Sequence, residues 1–95
     1  MKVVFNIEER NDFVIISFDI INDILSPNDL KEIKPPEIFK KGVVLSGRGP
    51  IWLYGYLIHF YHPAKFVATY DPRFSGAVIV ESHCNEYKIG DLIKI

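Results

Sequence analysis

The chain has 95 residues and carries 11 Lys and Arg against 12 Asp and Glu, so it offers no broad positive field for binding duplex nucleic acid. A chain of this length forms one domain with a modest core, and its hydrophobic fraction of 48% exceeds the need of that core, which predicts a subunit interface. It has one cysteine, no signal pattern and no apolar run approaching about 18 residues, which predicts a cytoplasmic protein without membrane attachment.

The chain opens with a predicted hairpin. Residues 2–8 alternate between apolar and polar side chains, and residues 12–20 are rich in β-branched and aromatic side chains. Both patterns are typical of strands. The turn-prone residues 9–11 lie between them, so we expect an antiparallel pair at this end of the chain.

A helix is predicted next. Ser26 stands before Pro27, and Asp29 follows three residues after the cap, which is the start pattern of a helix. Lys34 precedes a pair of prolines, and the residue before a proline disfavours helical geometry. The first helix is therefore expected to end at Lys34.

A second helix follows a short buried strand. Residues 43–45 are apolar and lead into the sequence Ser-Gly-Arg-Gly-Pro at 46–50. From Pro50 to Tyr61 the chain is apolar almost all round, which predicts a helix covered on more than one side. His62 precedes a proline, so it is expected at the C-terminal end of this helix, and His59 is assigned to packing.

The remaining elements complete a sheet. Residues 65–70 are predicted as a strand, residues 71–76 as a turn, and residues 77–82 as a strand of opposite direction. Residues 87–95 are expected to form a bent final strand or a small hairpin. Together these elements predict an α/β fold with a compact mixed sheet and two helices.

Two polar segments are predicted to share one pole of the molecule. If 43–45 and 66–70 are parallel strands joined by the second helix, residues 46–49 and 71–73 both lie at carboxyl ends of strands. Open α/β sheets bind ligands there, and a Gly-rich turn that opens a helix presents N–H groups to an anion. This turn pole is the predicted binding pole.

The histidines are predicted at the opposite pole. A helix of about 12 residues is roughly 18 Å long and carries His62 to the pole opposite the turn. The antiparallel strand of residues 77–82 brings Glu81 and His83 to that same opposite pole. Asp71 and Arg73 are then too far away to meet these histidines within one chain. A site that uses both sets must be shared between molecules, through a heterologous contact that closes a ring or propagates as a filament, although the apolar helix also suits a two-fold dimer.

Each motif also has a plainer interpretation. The Ser-Gly-Arg-Gly-Pro turn lacks the Lys-Ser/Thr of a P-loop and the spacing of a dinucleotide fingerprint, so it can be a simple connection with Arg48 solvated. The Asp-Pro-Arg turn can merely close a strand. Trp52, Tyr54 and Tyr56 can stack on bases, but on an apolar helix we favour a core or interface role.

Taken together, SGRGPIWL, YHPAKFVATYDPR and VESH resemble the small CRISPR-associated ring nuclease family. Its members accompany type III CRISPR systems and degrade the second messenger cyclic tetra-adenylate, and the family was earlier described as a manganese-dependent deadenylating exoribonuclease. The resemblance implies a single ring-nuclease domain over residues 1–95, related to ferredoxin-like and CARF-type folds. It also implies homodimers that stack into a tetramer or filament, with one cyclic nucleotide held between two dimers.

The resemblance also implies roles for individual residues. The positions that cradle the ligand in the family correspond to Ser46, Gly47, Arg48, Gly49 and the adjoining Pro50. Asp71 and Arg73 correspond to active-site residues of one dimer. His62 corresponds to the active-site histidine of the opposing dimer.

The expected chemistry needs no nucleophilic side chain, because a cyclic oligoadenylate carries its own nucleophile in the ribose 2′-OH. His62 is assigned as general acid or base, since histidine exchanges protons near neutral pH. Arg48 and Arg73 are expected to hold phosphate oxygens. Asp71 is expected to orient a proton-transfer partner or to bind a metal, with His83 as the next ligand, Mn²⁺ as the expected ion and Mg²⁺ as the alternative.

Two other functions stay open at this point. One is a non-catalytic sensor that binds the same messenger and reports it to a partner. The other is a 3′-exoribonuclease that acts on poly(A) RNA ends, which predicts activity on linear substrates. The titratable set of His62, Asp71 and His83 favours an enzyme, because a protein that only binds has no use for a proton-transfer group.

Overall fold

The computed structural model describes residues 2–22 and 24–95. In this part of the chain one six-stranded mixed sheet carries one α-helix on its face. The strands are β1 (Val3–Glu9), β2 (Phe13–Ile20), β3 (Gly42–Gly47), β4 (Phe66–Asp71), β5 (Gly76–Ser82) and β6 (Leu92–Lys94). Helix α1 spans Ile51–Phe60, and two 3₁₀ turns span Pro27–Lys31 and Pro72–Phe74. The predicted α/β class is confirmed.

The strands lie across the sheet in chain order. β1 and β2 form the predicted antiparallel hairpin, with Phe5 opposite Phe18. β2, β3 and β4 run parallel, and β5 and β6 return antiparallel. Because parallel strands end at the same edge of a sheet, the turn after β3 and the connection after β4 lie at one pole, as expected from the sequence.

Helix α1 connects β3 to β4 and covers one face of the sheet. Its fully buried side chains are Leu53 and Leu57, which belong to one apolar cluster with Val43 and Leu45 of β3. Burial of a leucine side chain contributes about 1.5–3 kcal/mol. Packing of these two leucines therefore holds the helix against the sheet.

The C-terminal segment covers part of the other face. Val44 and Phe66 are fully buried there, and the Tyr87 ring lies on Phe66 with centroids 4.4 Å apart. The Tyr87 hydroxyl donates to the Asp12 carboxylate at 3.0 Å. The sheet thus has an apolar cluster on each face. Among the described residues, no helix has the length and apolar character needed to cross a membrane.

The helix predicted from Ser26 to Lys34 is instead a short 3₁₀ turn, Pro27–Lys31. Its predicted start is correct, since the Ser26 N–H donates to Asp29 Oδ2 at 2.7 Å and the Asp29 N–H donates to the Ser26 carbonyl at 2.9 Å. None of its residues is buried. Without an apolar stripe to hold it on the sheet, a longer helix is not stabilised.

Within this chain α1 is covered on one side only, which corrects the expectation of burial on more than one side. Ile51 is 89% exposed and Trp52 is 37% exposed. Gly55 and His59 are exposed as well, so His59 is not packed as predicted. The subunit interface expected from the composition stays a prediction.

The last segment is neither a continuous bent strand nor a hairpin over residues 87–95. Strand β6, Leu92–Lys94, pairs with β5, with Ile93 opposite Ala77, and Ile79 of β5 also forms backbone hydrogen bonds with Gly90 and Asp91. A turn precedes it, closed by the Asp91 N–H donating to the Lys88 carbonyl at 2.9 Å. Tyr87 lies outside the strands, and its ring packs on Phe66 over the second face.

Candidate functional site

The Gly-rich turn after β3 is built on Phe18 of β2. Gly47 pairs with Phe18 across the parallel strands, and a Cβ atom at Gly47 would lie 2.5 Å from the Phe18 carbonyl oxygen. A Cβ atom at Gly49 would lie 3.1 Å from the Phe18 ring. A side chain at position 47 therefore forces the turn away from β2.

Tyr54 of α1 holds the same turn from the helix. Its hydroxyl donates to the Gly47 carbonyl at 2.6 Å, and its ring meets the Phe18 ring edge to face with centroids 5.2 Å apart. Burial raises the pKa of Tyr54, so the hydroxyl keeps its proton at neutral pH. The Gly47 carbonyl thus has a permanent donor.

The turn also presents free backbone donors. Within the described part of the chain, the N–H groups of Arg48 and Gly49 have no hydrogen-bond acceptor. They lead directly into α1, a helix of 10 residues whose N-terminal end carries a partial positive charge. N–H groups and a helix dipole in this arrangement suit an oxygen of a phosphate group.

Two cavities open beside the turn and share Tyr54 as a wall. The turn cavity has a volume of about 380 Å³ and is lined by residues that include Asp19, Ser46, Arg48, Tyr54 and Pro72. The α1 cavity has a volume of about 430 Å³ and is lined by residues that include Ile51, Tyr54, Ile58, Thr69 and Val80. Pro50, predicted as part of the binding turn, is the N-cap of α1.

Asp71 and Arg73 form an ion pair at the turn pole. Asp71 Oδ1 accepts from the Arg73 backbone N–H at 2.9 Å, and Asp71 Oδ2 accepts from Arg73 Nη2 at 2.7 Å. These hydrogen bonds from Arg73 lower the pKa of Asp71, and the carboxylate in turn raises the pKa of Arg73. The Arg73 side chain is 80% exposed, so its other N–H groups face outward.

At the opposite pole two histidine side chains converge on one carboxylate. Glu81 Oε2 forms a hydrogen bond with His62 Nδ1 and another, of 3.1 Å, with His83 Nε2. One ligand atom from each of the three residues lies within 4.8 Å of the other two. We call His62, Glu81 and His83 the histidine cluster. Imidazole nitrogens and carboxylate oxygens are ligand types that divalent metals accept, so these three residues could hold such an ion.

A β-bulge explains why Glu81 reaches the histidines. Glu81 pairs with Val67, but Ile79 pairs with the very next residue of β4, Ala68, so Val80 is an extra residue. Opposed side chains share a face, and Val67 belongs to the cluster beneath α1. Glu81 therefore lies on the α1 face, close to where His62 follows the helix, and a bulge often re-aims a side chain in this way.

Sequence reasoning placed Glu81 at the correct pole but missed it as a site residue. Strict alternation from the buried Ala77 and Ile79 predicts Glu81 on the face opposite α1. The Glu-x-His spacing of Glu81 and His83 does predict a shared face for these two. The bulge that turns this face toward His62 has no signal in the sequence that we recognise.

The predicted site residues form two groups that do not meet within one chain. Asp71 ends β4, whereas the His83 N–H donates to the carbonyl of Lys65, just before β4 begins. β4 has 6 residues, which separates the groups by about 17 Å. Asp71 and His83, both proposed as metal ligands, therefore lie at opposite poles of the same chain.

Comparison with known proteins identifies relatives of the chain. Residues 18–94 match the profile of a family described as CRISPR-associated protein (Cas_csx3). A protein of Aquifex aeolicus (strain VF5), described as an uncharacterized protein, is 52% identical over 90 residues, which cover 90% of this chain and 80% of that protein. The profile match includes the Gly-rich turn, α1 and the histidine cluster.

Proposed function

The chain belongs to the CRISPR-associated Cas_csx3 family, and from this premise we propose that it is a metal-dependent phosphodiesterase that cleaves cyclic tetra-adenylate in type III CRISPR antiviral signalling. The observation that carries the proposal is the division of charged and titratable side chains between the two ends of β4 and β5. The turn pole offers groups suited to binding phosphate, and the opposite pole offers groups suited to transferring protons. Two chains that bring unlike poles together would combine both sets of groups.

The turn pole is proposed to bind the phosphate groups. Free N–H groups of Arg48 and Gly49, the dipole of α1 and the Arg48 guanidinium all favour negative charge in the turn cavity. Asp19 places a carboxylate on another wall of this cavity. That carboxylate repels a second phosphate and suits a ribose hydroxyl, so the cavity fits a nucleotide better than a polyphosphate.

Arg73 is proposed to contact a phosphate oxygen between two chains. Asp71 engages the Arg73 backbone N–H, Nε and Nη2, which fixes the direction of the side chain. A guanidinium has five N–H donors, so donors remain for a ligand on the exposed side. Asp71 thereby acts as the residue that aims Arg73.

The histidine cluster is proposed to move the protons. The ribose 2′-oxygen forms a bond to phosphorus while the bond from phosphorus to the 5′-oxygen breaks, which leaves a linear adenylate with a cyclic 2′,3′-phosphate and a 5′-hydroxyl. One proton leaves the 2′-OH and one joins the departing 5′-oxygen. His62, oriented by its hydrogen bond to Glu81, performs one of these transfers.

Glu81 and His83 of the same cluster could hold a manganese ion through one carboxylate oxygen and one imidazole nitrogen, which leaves His62 for proton transfer. Mg²⁺ is the alternative, although it prefers oxygen ligands and retains several waters. A bound Mn²⁺ would supply positive charge to stabilise the phosphate oxygens. Asp71, the other ligand expected from the sequence, can contribute only from a second chain.

The proposed assembly is a homodimer that stacks on a second dimer, with the ligand between them. Its physical basis is the distance of about 17 Å between the two poles, which excludes direct cooperation of Asp71 with His62 inside one chain. The exposed apolar side of α1 supports self-association, because Ile51 and Trp52 lose solvent contact only against another molecule.

The proposal is tested by incubating the purified protein with radiolabelled cyclic tetra-adenylate, with Mn²⁺ or with EDTA, and separating the products while light scattering follows the assembly size. Cleavage to linear adenylates in Mn²⁺, with growth of the assembly, is the expected result. Tight binding without cleavage would instead make the protein a sensor. Activity confined to linear poly(A) RNA would make it an exoribonuclease. The absence of both binding and cleavage would overturn the proposal.

A further inference from the structure

We propose that Tyr54 is a positioning residue, whose hydrogen bond to Gly47 aims the Arg48 N–H at the ligand. The proposal rests on the proposed role of the Gly-rich turn in phosphate binding. Tyr54 has no part in the metal or proton-transfer chemistry suggested for the histidine cluster. It lies in the helix that follows the turn and forms a wall of both cavities.

The peptide unit between Gly47 and Arg48 transmits the effect. A peptide group is planar and trans, so its C=O and N–H point in opposite directions. The Tyr54 hydroxyl holds the Gly47 carbonyl at 2.6 Å. The Arg48 N–H of the same peptide group must then point away from Tyr54, where it has no acceptor among the described residues.

A clamp of this kind is needed because the turn is rich in glycine. Glycine backbones adopt many conformations at little cost, and Gly47 and Gly49 flank Arg48. Without a fixed carbonyl, the peptide plane can rotate and withdraw the N–H from the ligand. The Phe18 carbonyl oxygen and ring limit how the turn moves toward the sheet, and the Tyr54 hydroxyl supplies the hydrogen bond that holds the Gly47 carbonyl.

The ring of Tyr54 is itself held in place, so the clamp is rigid. Phe18 contacts it edge to face at 5.2 Å, and the ring forms a wall of both the turn cavity and the α1 cavity. A ligand that enters either cavity therefore contacts the residue that sets the turn. Loss of the hydroxyl alone leaves this packing intact.

Tyr61, the C-cap residue of α1, supplies a matched control at the other end of this helix. Its hydroxyl donates to the Pro36 carbonyl, also at 2.6 Å, and its side chain is fully buried. The Pro36 carbonyl lies in the connection before β3 and lines neither cavity. Tyr54→Phe and Tyr61→Phe thus remove the same chemical bond, one at the turn and one remote from it.

The experiment measures two properties of both variants. The first is the rigidity of the turn, as ¹⁵N order parameters of the Arg48 and Gly49 amides. In wild type and Tyr61→Phe these are expected near the rigid value of about 0.85, and in Tyr54→Phe below about 0.6. The second is cleavage of cyclic tetra-adenylate, for which Tyr54→Phe is expected to raise KM about fivefold with kcat within about twofold. Tyr61→Phe is expected to lower Tm without changing KM.

The two measurements separate failure of this inference from failure of the proposed function. Order parameters that stay at the wild-type value in Tyr54→Phe overturn the clamp, whatever the activity. Equal rises of KM in both variants also overturn it, because they indicate general destabilisation. If wild type neither binds nor cleaves the cyclic nucleotide, the proposed function fails, and the order parameters alone decide whether Tyr54 sets the turn.

Discussion

The imidazole rings of His62 and His83 lie edge to face with centroids 4.9 Å apart, although one residue follows α1 and the other follows β5. Glu81 forms a hydrogen bond with each of them. The three side chains therefore behave as one unit, and in the proposed function this unit completes its site against the turn pole of a second chain.

A shared site predicts complementation between inactive variants. His62→Ala and Asp71→Ala are each expected to lower the cleavage rate by at least about 100-fold. A mixture of the two is expected to recover activity, because one chain supplies an intact turn pole and the other an intact histidine cluster. Cleavage of radiolabelled cyclic tetra-adenylate by each protein and by the mixture checks this.

The control for complementation mixes His62→Ala with His83→Ala. Both changes lie in the histidine cluster, so no pairing of chains restores an intact cluster, and the mixture is expected to stay inactive. Recovery in this mixture, or none in the first, would contradict a site divided between the two poles.

Glu81→Gln is expected to weaken binding of Mn²⁺ by at least about tenfold, because the change removes the only negative charge in the histidine cluster. Isothermal titration calorimetry measures the affinity. Glu86→Gln is the control, since Glu86 lies near the same end of the molecule and pairs only loosely with Lys65, at 4.0 Å. An equal loss in both variants would place the metal elsewhere.

Two glycine substitutions are expected to act in opposite directions. Gly47→Ala places a methyl group against the Phe18 carbonyl and should lower the free energy of unfolding by about 1–3 kcal/mol. Gly55→Ala meets no atom within 4 Å and should raise it by about 0.5–1 kcal/mol, since alanine favours helix. Urea unfolding measures both, and a loss of assembly in Gly55→Ala would show that α1 packs against another chain at this residue.

The Asp71–Arg73 pair predicts a pH-dependent contribution to stability. Hydrogen bonds from Arg73 lower the pKa of Asp71 below its ordinary value of 3.8. A lowered pKa means that the contribution is present above this ordinary value and is lost as the pH falls through the folded-state value. Wild type should therefore exceed Asp71→Asn in stability at about pH 6, with a smaller difference at about pH 3. Urea unfolding at both values tests this, and a difference that does not change with pH counts against it.

Most of the fold was predictable because its signals are local. The alternation of residues 2–8 and the proline that follows His62 mark a strand and a helix end by rules that need no tertiary information. The 3₁₀ turn Pro27–Lys31 was predicted as a longer helix, because its cap is a local signal whereas its lack of buried contacts is not.

The candidate site was predictable in outline only. The parallel direction of β3 and β4 placed Arg48 and Asp71 at one pole, and helix length placed His62 at the other. The contact of Glu81 with His62 depends on the extra residue Val80, and a bulge shifts the face of every residue after it. Register of this kind is set by packing of the whole sheet.

The chain-order arrangement of the strands also bears on how the molecule folds. The hairpins β1–β2 and β4–β5 have short connections, whereas the parallel centre of the sheet needs long ones, so the hairpins are expected to form first. Docking of α1 then comes late, and Leu57→Ala should speed unfolding with little change in the folding rate, as followed by Trp52 fluorescence. Because Tyr54 of this helix holds the Gly-rich turn, the pole proposed to bind phosphate is expected to take its final shape in the last step of folding.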